Sequence, residues 1–328
     1  MTSSQAKSKQ LQSSDPATGD RIVRVDDALR LAAVQCLVSR TGPPAGRHAA
    51  ERFVEFSQAN AIPIDAMWAR LGRDDRVQAT VLAVPNPGRT AMVFASMPRS
   101  VDHTAGHARL IEHACRQLPE LGVGLAQVLL EPKQGLQRSA FQHAGFRILA
   151  HLSYMERPVP AAAAAGAAVW PRDVSTETHQ DQFEPDLLAA LEATYEDTLD
   201  CPGLRGLRRT TDILAGHRAA GEYDPALWTL LRIAGRPAGV LLLNRSPANN
   251  TIELVYIGLA KVARGRGLGT QLLRHGIQLI AGRTERAVTL AVDETNEPAI
   301  RMYRREGFRR VLRRTALIRP LEEVNDAT

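Results

Sequence analysis

A short stretch of the chain, Glu253 to Gly269, contains residue types whose spacing could hold a phosphate group. It reads ELVYIGLAKVARGRGLG, which predicts a buried strand, a turn rich in glycine and arginine, and then an amphipathic helix over Thr270 to Arg283. The free N–H groups and the positive dipole end of a helix N-terminus attract anions. Glycines allow close approach to the backbone, and Arg264 and Arg266 would add mobile positive charge. The stretch therefore predicts a phosphate-bearing ligand.

The spacing excludes two common phosphate loops. A Walker A loop needs a lysine after its last glycine, but Gly269 is followed directly by Thr270. A dinucleotide-binding loop needs G-x-G-x-x-G with an acidic residue about 20 positions on, and here the third glycine is misplaced and the acidic residue is absent. The pattern that fits is Arg-x-x-Gly-x-Gly, formed by Arg264, Gly267 and Gly269.

Composition places the chain among ordinary globular proteins. Its 328 residues favour two domains, and no apolar run approaches the roughly 18–20 residues of a membrane span. The polar N-terminus lacks the apolar core of a secretory signal, and the three cysteines are scattered, so we expect a cytoplasmic protein with no membrane partner. The net charge is +6, but the aromatic residues are not interleaved with the basic runs, so nucleic acid is not an expected partner.

The predicted helices and strands occur twice at an offset of 162 residues, which indicates a tandem repeat. The segment Ala144 to Arg147 (AGFR) corresponds to Glu306 to Arg309 (EGFR), and Arg157-Pro158 corresponds to Arg319-Pro320. Apolar positions between these markers also correspond without a gap. The predicted organisation is a disordered tail over 1–20, a first copy over 21–157, an Ala/Pro linker over 158–171, a second copy over 172–320, and a tail over 321–328.

The glycine loop, together with the later segment DETNEPAIRMYRREGF, resembles the GNAT superfamily of acyl-CoA-dependent N-acyltransferases. The resemblance implies an α/β (α+β) fold of two GNAT-like domains, each with a mixed, splayed central sheet flanked by helices, and acyl-CoA bound in the splay. It also implies that backbone groups hold the cofactor. Pantetheine would pair with Ile257, Gly258, Leu259 and Ala260, and the pyrophosphate would lie on the amides of Arg264, Gly265, Arg266, Gly267, Leu268 and Gly269 with Thr270.

The second segment supplies a candidate proton donor. Family members commonly use a tyrosine at the position of Tyr303 to protonate the leaving CoA thiolate, and a phenol with a pKa near 10 can do so. The alternative is a core aromatic before the Gly-Phe turn. Asn296 lies two helical turns before Tyr303 with Ala299 between them, so it would contact pantetheine, cap the helix, or both.

Glu253 is the candidate general base. It stands in the otherwise apolar run TIELVYIGL, where a carboxylate is costly unless it faces a polar cleft, and partial burial would raise its pKa. Its spacing from the glycine loop is also similar to that of the catalytic glutamate in several family members. The alternative is an edge carboxylate paired with a nearby arginine.

The first copy lacks these groups. At the same offset, Phe141 replaces Tyr303, and the run DHTAGH from Asp102 to His107 replaces the loop. A phenylalanine cannot donate a proton, and an aspartate disfavours a pyrophosphate. We therefore predict that the first copy is catalytically silent.

The sequence thus predicts an enzyme that transfers an acetyl group from acetyl-CoA to a primary amine acceptor by direct attack in a ternary complex, without a metal. One alternative stays open: a non-catalytic acyl-CoA sensor or adaptor whose basic face recruits a partner or nucleic acid.

Overall fold

A computed structural model describes residues 13–14, 20–39, 44–162 and 168–322. The chain forms two compact units. One contains the described residues up to Pro85 with Thr90–Ile148 and Leu317–Glu322, and the other contains Asn86–Arg89 and Leu149–Ala316. Among the described residues, no helix has the length and apolar character to cross a membrane.

The described residues of the first unit form four α-helices and a sheet in the order β1-β2-β3-β4-β5-β6. Asp26 caps the first helix by accepting a hydrogen bond from the Leu29 N–H at 3.0 Å. The helices are α1 Asp27–Leu37, α2 Arg47–Ala59, α3 Val101–Gln117 and α4 Gly135–His143. The strands are β1 Ser13–Ser14, β2 Arg21–Arg24, β3 Met67–Leu71, β4 Val77–Asn86, β5 Thr90–Ala95 and β6 Leu125–Leu130.

The described residues of the second unit form four α-helices and a sheet in the order β13-β7-β12-β11-β10-β9-β8. Its core lies between the sheet and α7, with Leu241, Leu272 and Leu290 buried together. The helices are α5 Glu184–Tyr195, α6 Thr210–Ala219, α7 Leu268–Leu279 and α8 Glu297–Arg305. The strands are β7 Arg147–Pro158, β8 Val174–Thr178, β9 Trp228–Ile233, β10 Arg236–Ser246, β11 Thr251–Leu259, β12 Ala287–Asp293 and β13 Arg309–Pro320.

The predicted tandem repeat is confirmed by the element bounds. Helices α4 and α8 begin at residues 135 and 297, and strands β7 and β13 begin at residues 147 and 309, so each pair is offset by 162 positions. Strand β6 and the first six residues of β12 also alternate identically between buried and exposed side chains. The repeat is therefore structural as well as sequential.

Both units contain the predicted mixed, splayed sheet. In the second unit, β11 pairs in parallel with β12 only over Thr251 to Glu253, although both strands continue beyond this point. In the first unit, β5 pairs in parallel with β6 only over Thr90 to Met92 and then diverges from it. A parallel pair that separates part-way leaves backbone groups free for another partner. The α/β fold expected from the resemblance is confirmed.

Several segments differ from the sequence interpretation. Strands β2, β3 and β8 were not predicted. The predicted tails fall largely on residues outside the described ranges, as does the centre of the predicted linker. The described ends of the linker are held by the second unit, since Val169 N–H donates to Gln271 Oε1 at 3.0 Å and Gly282 N–H donates to the Pro160 carbonyl at 2.9 Å.

Candidate active site

The open edge of β11 presents backbone groups beside the splay. On its other side, the Ala260 N–H donates to the Ala238 carbonyl at 2.8 Å, continuing the ladder with β10. Because backbone groups in an antiparallel ladder alternate between the two edges, those of Gly258 point to β10 while those of Ile257 and Leu259 point to the splay. Of the predicted pantetheine-binding residues, Ile257 and Leu259 thus lie on the open edge, and Gly258 and Ala260 use their amides inside the sheet.

A bulge at Val255 accompanies the splay. Leu242 pairs with Tyr256, and the next pair is Leu243 with Leu254, so Val255 has no opposite residue on β10. A bulge bends and twists its strand. The distortion lies two residues after Glu253, where β11 leaves β12.

Glu253 lies at the vertex of the splay as the last residue of β11 paired with β12, opposite Thr289. Burial raises the pKa of its carboxyl above the ordinary value. The strand lies between β10 and β12 rather than at a sheet edge, and no arginine within the described ranges forms a salt bridge with Glu253. The alternative of an edge carboxylate paired with an arginine is therefore not what the structure contains.

The glycine turn precedes α7 as predicted and has the geometry that requires glycine. Gly265 and Gly267 have φ values of +75° and +74°, and Gly267 is the N-terminal cap residue of α7. The first hydrogen bond of the helix runs from the Gln271 N–H to the Gly267 carbonyl, so the N–H groups of residues 268–270 have no intrahelical acceptor. No side chain caps this end and no acidic residue lies in its first turn. The turn therefore concentrates unneutralised N–H dipoles.

The Arg264 side chain does not supply the mobile charge expected from the sequence, and this expectation is wrong. Its Nε donates to the Leu259 carbonyl at 2.9 Å. Its Nη2 donates to the carbonyls of Thr194 and Glu196 at 3.0 and 2.7 Å, and its Nη1 donates to that of Asp197 at 3.1 Å. The guanidinium thus caps the C-terminal end of α5 and fastens it to the end of β11. Only the backbone amide of Arg264 can serve a phosphate.

Arg266 is not a free cation either. Its Nη2 donates to both carboxylate oxygens of Asp173, at 2.9 and 2.8 Å. Because this ion pair is largely exposed, it contributes little to stability. The anion-binding capacity of the turn consequently lies in its backbone.

This division of roles predicts different stabilities for two variants. Arg264→Met removes four charge-assisted hydrogen bonds and should lower the free energy of unfolding by about 1.5–3 kcal/mol. Arg266→Met is the matched control, two positions later in the same turn. It should change the free energy of unfolding by only about 0–1 kcal/mol. Urea unfolding of both proteins measures the difference. Equal effects would contradict the structural role given to Arg264.

Tyr303 lies inside the core of the second unit, with 5% of its surface exposed, and its ring packs edge-on against Phe308 at 5.6 Å. Burial first, then the charge of Asp200 and the nearby Tyr256, raises the pKa of its phenol. The group therefore stays protonated at neutral pH. Asn296 caps α8, since its Oδ1 accepts a hydrogen bond from the Ala299 N–H at 3.3 Å.

The structure adds Asp200 to the predicted site residues. Asp200 Oδ1 accepts a hydrogen bond from the Asp293 N–H at 2.9 Å, and Asp293 Oδ2 accepts one from the Cys201 N–H at 3.3 Å. These reciprocal bonds hold the loop after α5 against the end of β12. Burial raises the pKa of Asp200, Tyr303 and Tyr256, and the charge of Asp200 raises the pKa of the two tyrosines further. No local sequence pattern indicates this placement.

Tyr154 is a second addition, and it comes from the last strand of the first repeat. It lies on β7, which pairs with β12 and belongs to the second unit from Leu149 onwards. Burial raises the pKa of Tyr154, and the charge of Glu253 raises it further. The phenol is thus an electrostatic neighbour of the candidate base.

In the first unit, other groups occupy the positions that correspond to the glycine turn and the open strand edge. The residues corresponding to the glycine turn, Asp102 to His107, form the first turns of α3, and Asp102 lies in the first turn. Gln137 Nε2 donates to the Ala95 carbonyl at 2.6 Å, on the strand that corresponds to the open edge of β11. Phe141 is fully buried in the core. In the first unit, the first turns of α3 with the carboxylate of Asp102 thus replace the glycine turn, and the side-chain amide of Gln137 occupies the carbonyl of Ala95 on the strand edge.

Comparisons with known proteins agree with this geometry. Residues 191–308 match the model of the Acetyltransferase (GNAT) family. A mycothiol acetyltransferase from Clavibacter michiganensis subsp. michiganensis is 40% identical over 103 residues, which cover 31% of this chain and 33% of that protein. One from Streptomyces bingchenggensis is 26% identical over 254 residues, covering 72% of this chain and 80% of that protein.

A solved structure extends the likeness along the chain. The GCN5-related N-acetyltransferase of Sphaerobacter thermophilus is 17% identical with a TM-score of 0.60, and covers 92% of this chain and 96% of that chain. At this identity the likeness concerns the fold alone.

Residues 191–308, which match the GNAT family model, lie within the second copy of the tandem repeat. The chain spans only about a third of the length of the Clavibacter relative.

Proposed function

We propose that the chain is an acetyltransferase that moves an acetyl group from acetyl-CoA to a primary amine by direct attack in a ternary complex. The observation that carries the proposal is the junction of β11, β12 and α7. There the open backbone edge at Ile257 and Leu259 leads from the buried carboxylate of Glu253 to the glycine turn. An elongated ligand with amides along its arm and a diphosphate at its end matches this series of groups.

The cofactor is assigned to backbone groups. The pantetheine arm would pair with the N–H and carbonyl of Ile257 and with the N–H of Leu259, whose carbonyl is already taken by Arg264. The diphosphate would accept hydrogen bonds from the amides of the turn and from the first three residues of α7. Ala299 stands where the first unit has Gln137, so its short side chain leaves the edge uncovered.

The proposed reaction uses two buried side chains. Glu253 accepts a proton from the acceptor ammonium and releases it to solvent, and the neutral amine then forms the C–N bond at the thioester carbonyl. Glu253 also accepts the second proton that the nitrogen loses as the amide forms. N–H groups on the open edge polarise that carbonyl as the C–S bond breaks. Tyr303 donates its phenolic proton to the departing thiolate and is reprotonated from solvent after the products leave.

Cys201 is the cysteine of the second unit, and its environment favours direct attack over a covalent acyl-enzyme. Burial raises the pKa of its thiol, and the charges of Asp200 and Asp293 raise it further. Since the thiolate is the nucleophilic form, Cys201 is a poor acceptor for the acetyl group.

The alternative of a sensor with a basic recruiting face receives less support. Part of the arginine-rich run on β13 is neutralised, because Arg313 Nε donates to Glu294 Oε1 at 2.6 Å and Arg310 lies 3.8 Å from the same oxygen. The sensor is kept as an outcome of the test.

A screen of amines against the purified full chain tests the function. It should include the amine precursor of mycothiol, which the names of the relatives suggest, together with amino sugars, amino acids and polyamines. Release of CoA thiol should equal the acetylated amine found by mass spectrometry. Binding of acetyl-CoA without product from any amine would favour the sensor.

A further inference from the structure

A polar cavity lies in the first unit, lined in part by His103 and His107 from the run that replaces the glycine turn. It has a volume of about 30 Å³, enough for more than one water, and one of its lining residues, Arg99, is exposed. Its polar lining comes from α1, β3, the segment after β5, and α3. The residues that matter here are Cys36, Arg70, Ser96, Arg99, His103 and His107.

Arg70 is the main cation of the cavity. Its Nη1 donates to Asp20 Oδ2 at 2.7 Å, while its buried Nε has no hydrogen-bond acceptor among the described residues. A buried N–H of a charged group without an acceptor is costly, so it indicates an acceptor that arrives from elsewhere. The guanidinium lies against Gly106, where an added Cβ would come within 2.8 Å of Nη1. A glycine inside a helix costs about 1 kcal/mol relative to alanine, and here it makes room for this cation.

A fixed chain of hydrogen bonds forms the neutral wall of the cavity. Ser96 Oγ accepts from the Thr80 N–H at 2.9 Å, and His107 Nδ1 lies 2.9 Å from the His103 carbonyl. Since a carbonyl only accepts, Nδ1 carries the ring proton, and Nε2 accepts the Ser96 hydroxyl proton at 3.3 Å. Burial lowers the pKa of His107 to about 4, so the ring is neutral at physiological pH.

The net charge of the lining is positive. Arg70 and Arg99 line the cavity, and no acidic residue does so among the described residues; Asp20 pairs with Arg70 from outside the lining, which leaves Arg99 as the cation without a salt bridge among the described residues. Burial raises the pKa of the Cys36 thiol, while hydrogen bonds with Ser96 and Thr80, and then the charges of Arg99 and Arg70, oppose this increase.

We infer that this cavity binds the oxyanion head of a small metabolite, a carboxylate or a phosphate monoester, between Arg70 and Arg99. The first copy, which we propose to have lost acyl-CoA binding, would then keep a ligand site of a different kind. The inference is independent of the proposed acetyl transfer, because it concerns residues of the first unit alone.

Anion-dependent thermal stability of the full chain tests the inference. Sodium phosphate or sodium acetate, compared with sodium chloride at equal ionic strength, should raise the melting temperature by several degrees at tens of millimolar, because a ligand that binds only the folded state stabilises it. The Arg99→Gln protein should lose this increase. Arg99 is exposed and forms no salt bridge within the described ranges, so the substitution should leave the fold intact. Arg47→Gln, another exposed arginine of the first unit, is the matched control.

Site-specific alkylation of Cys36 gives an independent readout. The effective anion should slow alkylation of Cys36 several-fold and leave that of Cys201 unchanged, and the comparison of phosphate with acetate identifies the preferred head group. The inference is overturned if neither anion exceeds chloride in raising the melting temperature, or if Arg99→Gln responds as fully as the unmodified chain.

Discussion

Replacing Tyr303 by phenylalanine should lower kcat about 10²- to 10³-fold while changing the Kd for acetyl-CoA less than threefold. The substitution removes one hydroxyl from a side chain that is 5% exposed and packed against Phe308, so the core volume is almost unchanged. What is lost is the proton for the departing thiolate, and general acid catalysis of this kind contributes about 10²- to 10⁴-fold. Steady-state kinetics together with calorimetric titration of acetyl-CoA measure the two quantities.

A control variant separates proton donation from packing. Phe308→Leu alters the ring that packs against Tyr303 but keeps the hydroxyl, so it should affect stability more than kcat. A Tyr303→Phe protein that retains most of its turnover would show that Tyr303 is only a core aromatic, the alternative that the sequence left open.

Substitution of Glu253 by glutamine should lower kcat/KM about 10²-fold or more and remove one limb of the pH profile. The carboxylate must be ionised to accept a proton, so activity should fall as the pH drops through its pKa. Because burial raises that pKa, the fall should begin at a higher pH than for an exposed glutamate. Glutamine has the same shape and cannot accept the proton.

The acceptor amine also titrates, so the experiment needs two amines of different pKa. If the acceptor amine causes a limb of the pH profile, that limb should shift along the pH axis when an amine of different pKa is used. The limb caused by Glu253 should stay at the same pH with both amines and should be absent in Glu253→Gln. An identical acid limb in the glutamine variant would assign the base to another group, and Asp200 would be the first to examine.

Local sequence patterns predicted the parts of the site that depend on local structure. The glycine turn needs positive φ values at Gly265 and Gly267, and the helix after it needs an apolar face, so both can be read from short segments. Glu253 stood out because a carboxylate in an apolar strand requires an explanation. Its position at the vertex of the splay, however, depends on where β11 and β12 separate.

The groups that sequence reasoning missed depend on contacts between distant segments. Arg264 faces carbonyls at the end of α5, about 70 positions earlier in the chain, and nothing in the loop itself shows that these acceptors exist. Asp200 reaches the site through bonds with Asp293, and Tyr154 arrives on a strand that the repeat pattern assigned to the first copy. Strands β3 and β8, of five residues each, were too short for periodicity to identify.

We propose that the chain has one acyl-CoA site, located between the open edge of β11 and the N-terminus of α7. Gly267 offers a sharp way to alter it, because an added Cβ would meet no atom within 4 Å and the penalty comes from the φ of +74°. Asparagine tolerates this left-handed conformation far better than valine does. Gly267→Asn and Gly267→Val are therefore a matched pair, with thermal unfolding as the check that both proteins fold.

Calorimetric titration of the full chain with acetyl-CoA tests the claim most directly. We predict one molecule bound per chain, binding that survives in Gly267→Asn, and binding that is largely lost in a folded Gly267→Val. Two molecules per chain, or undiminished binding in Gly267→Val, would contradict the account.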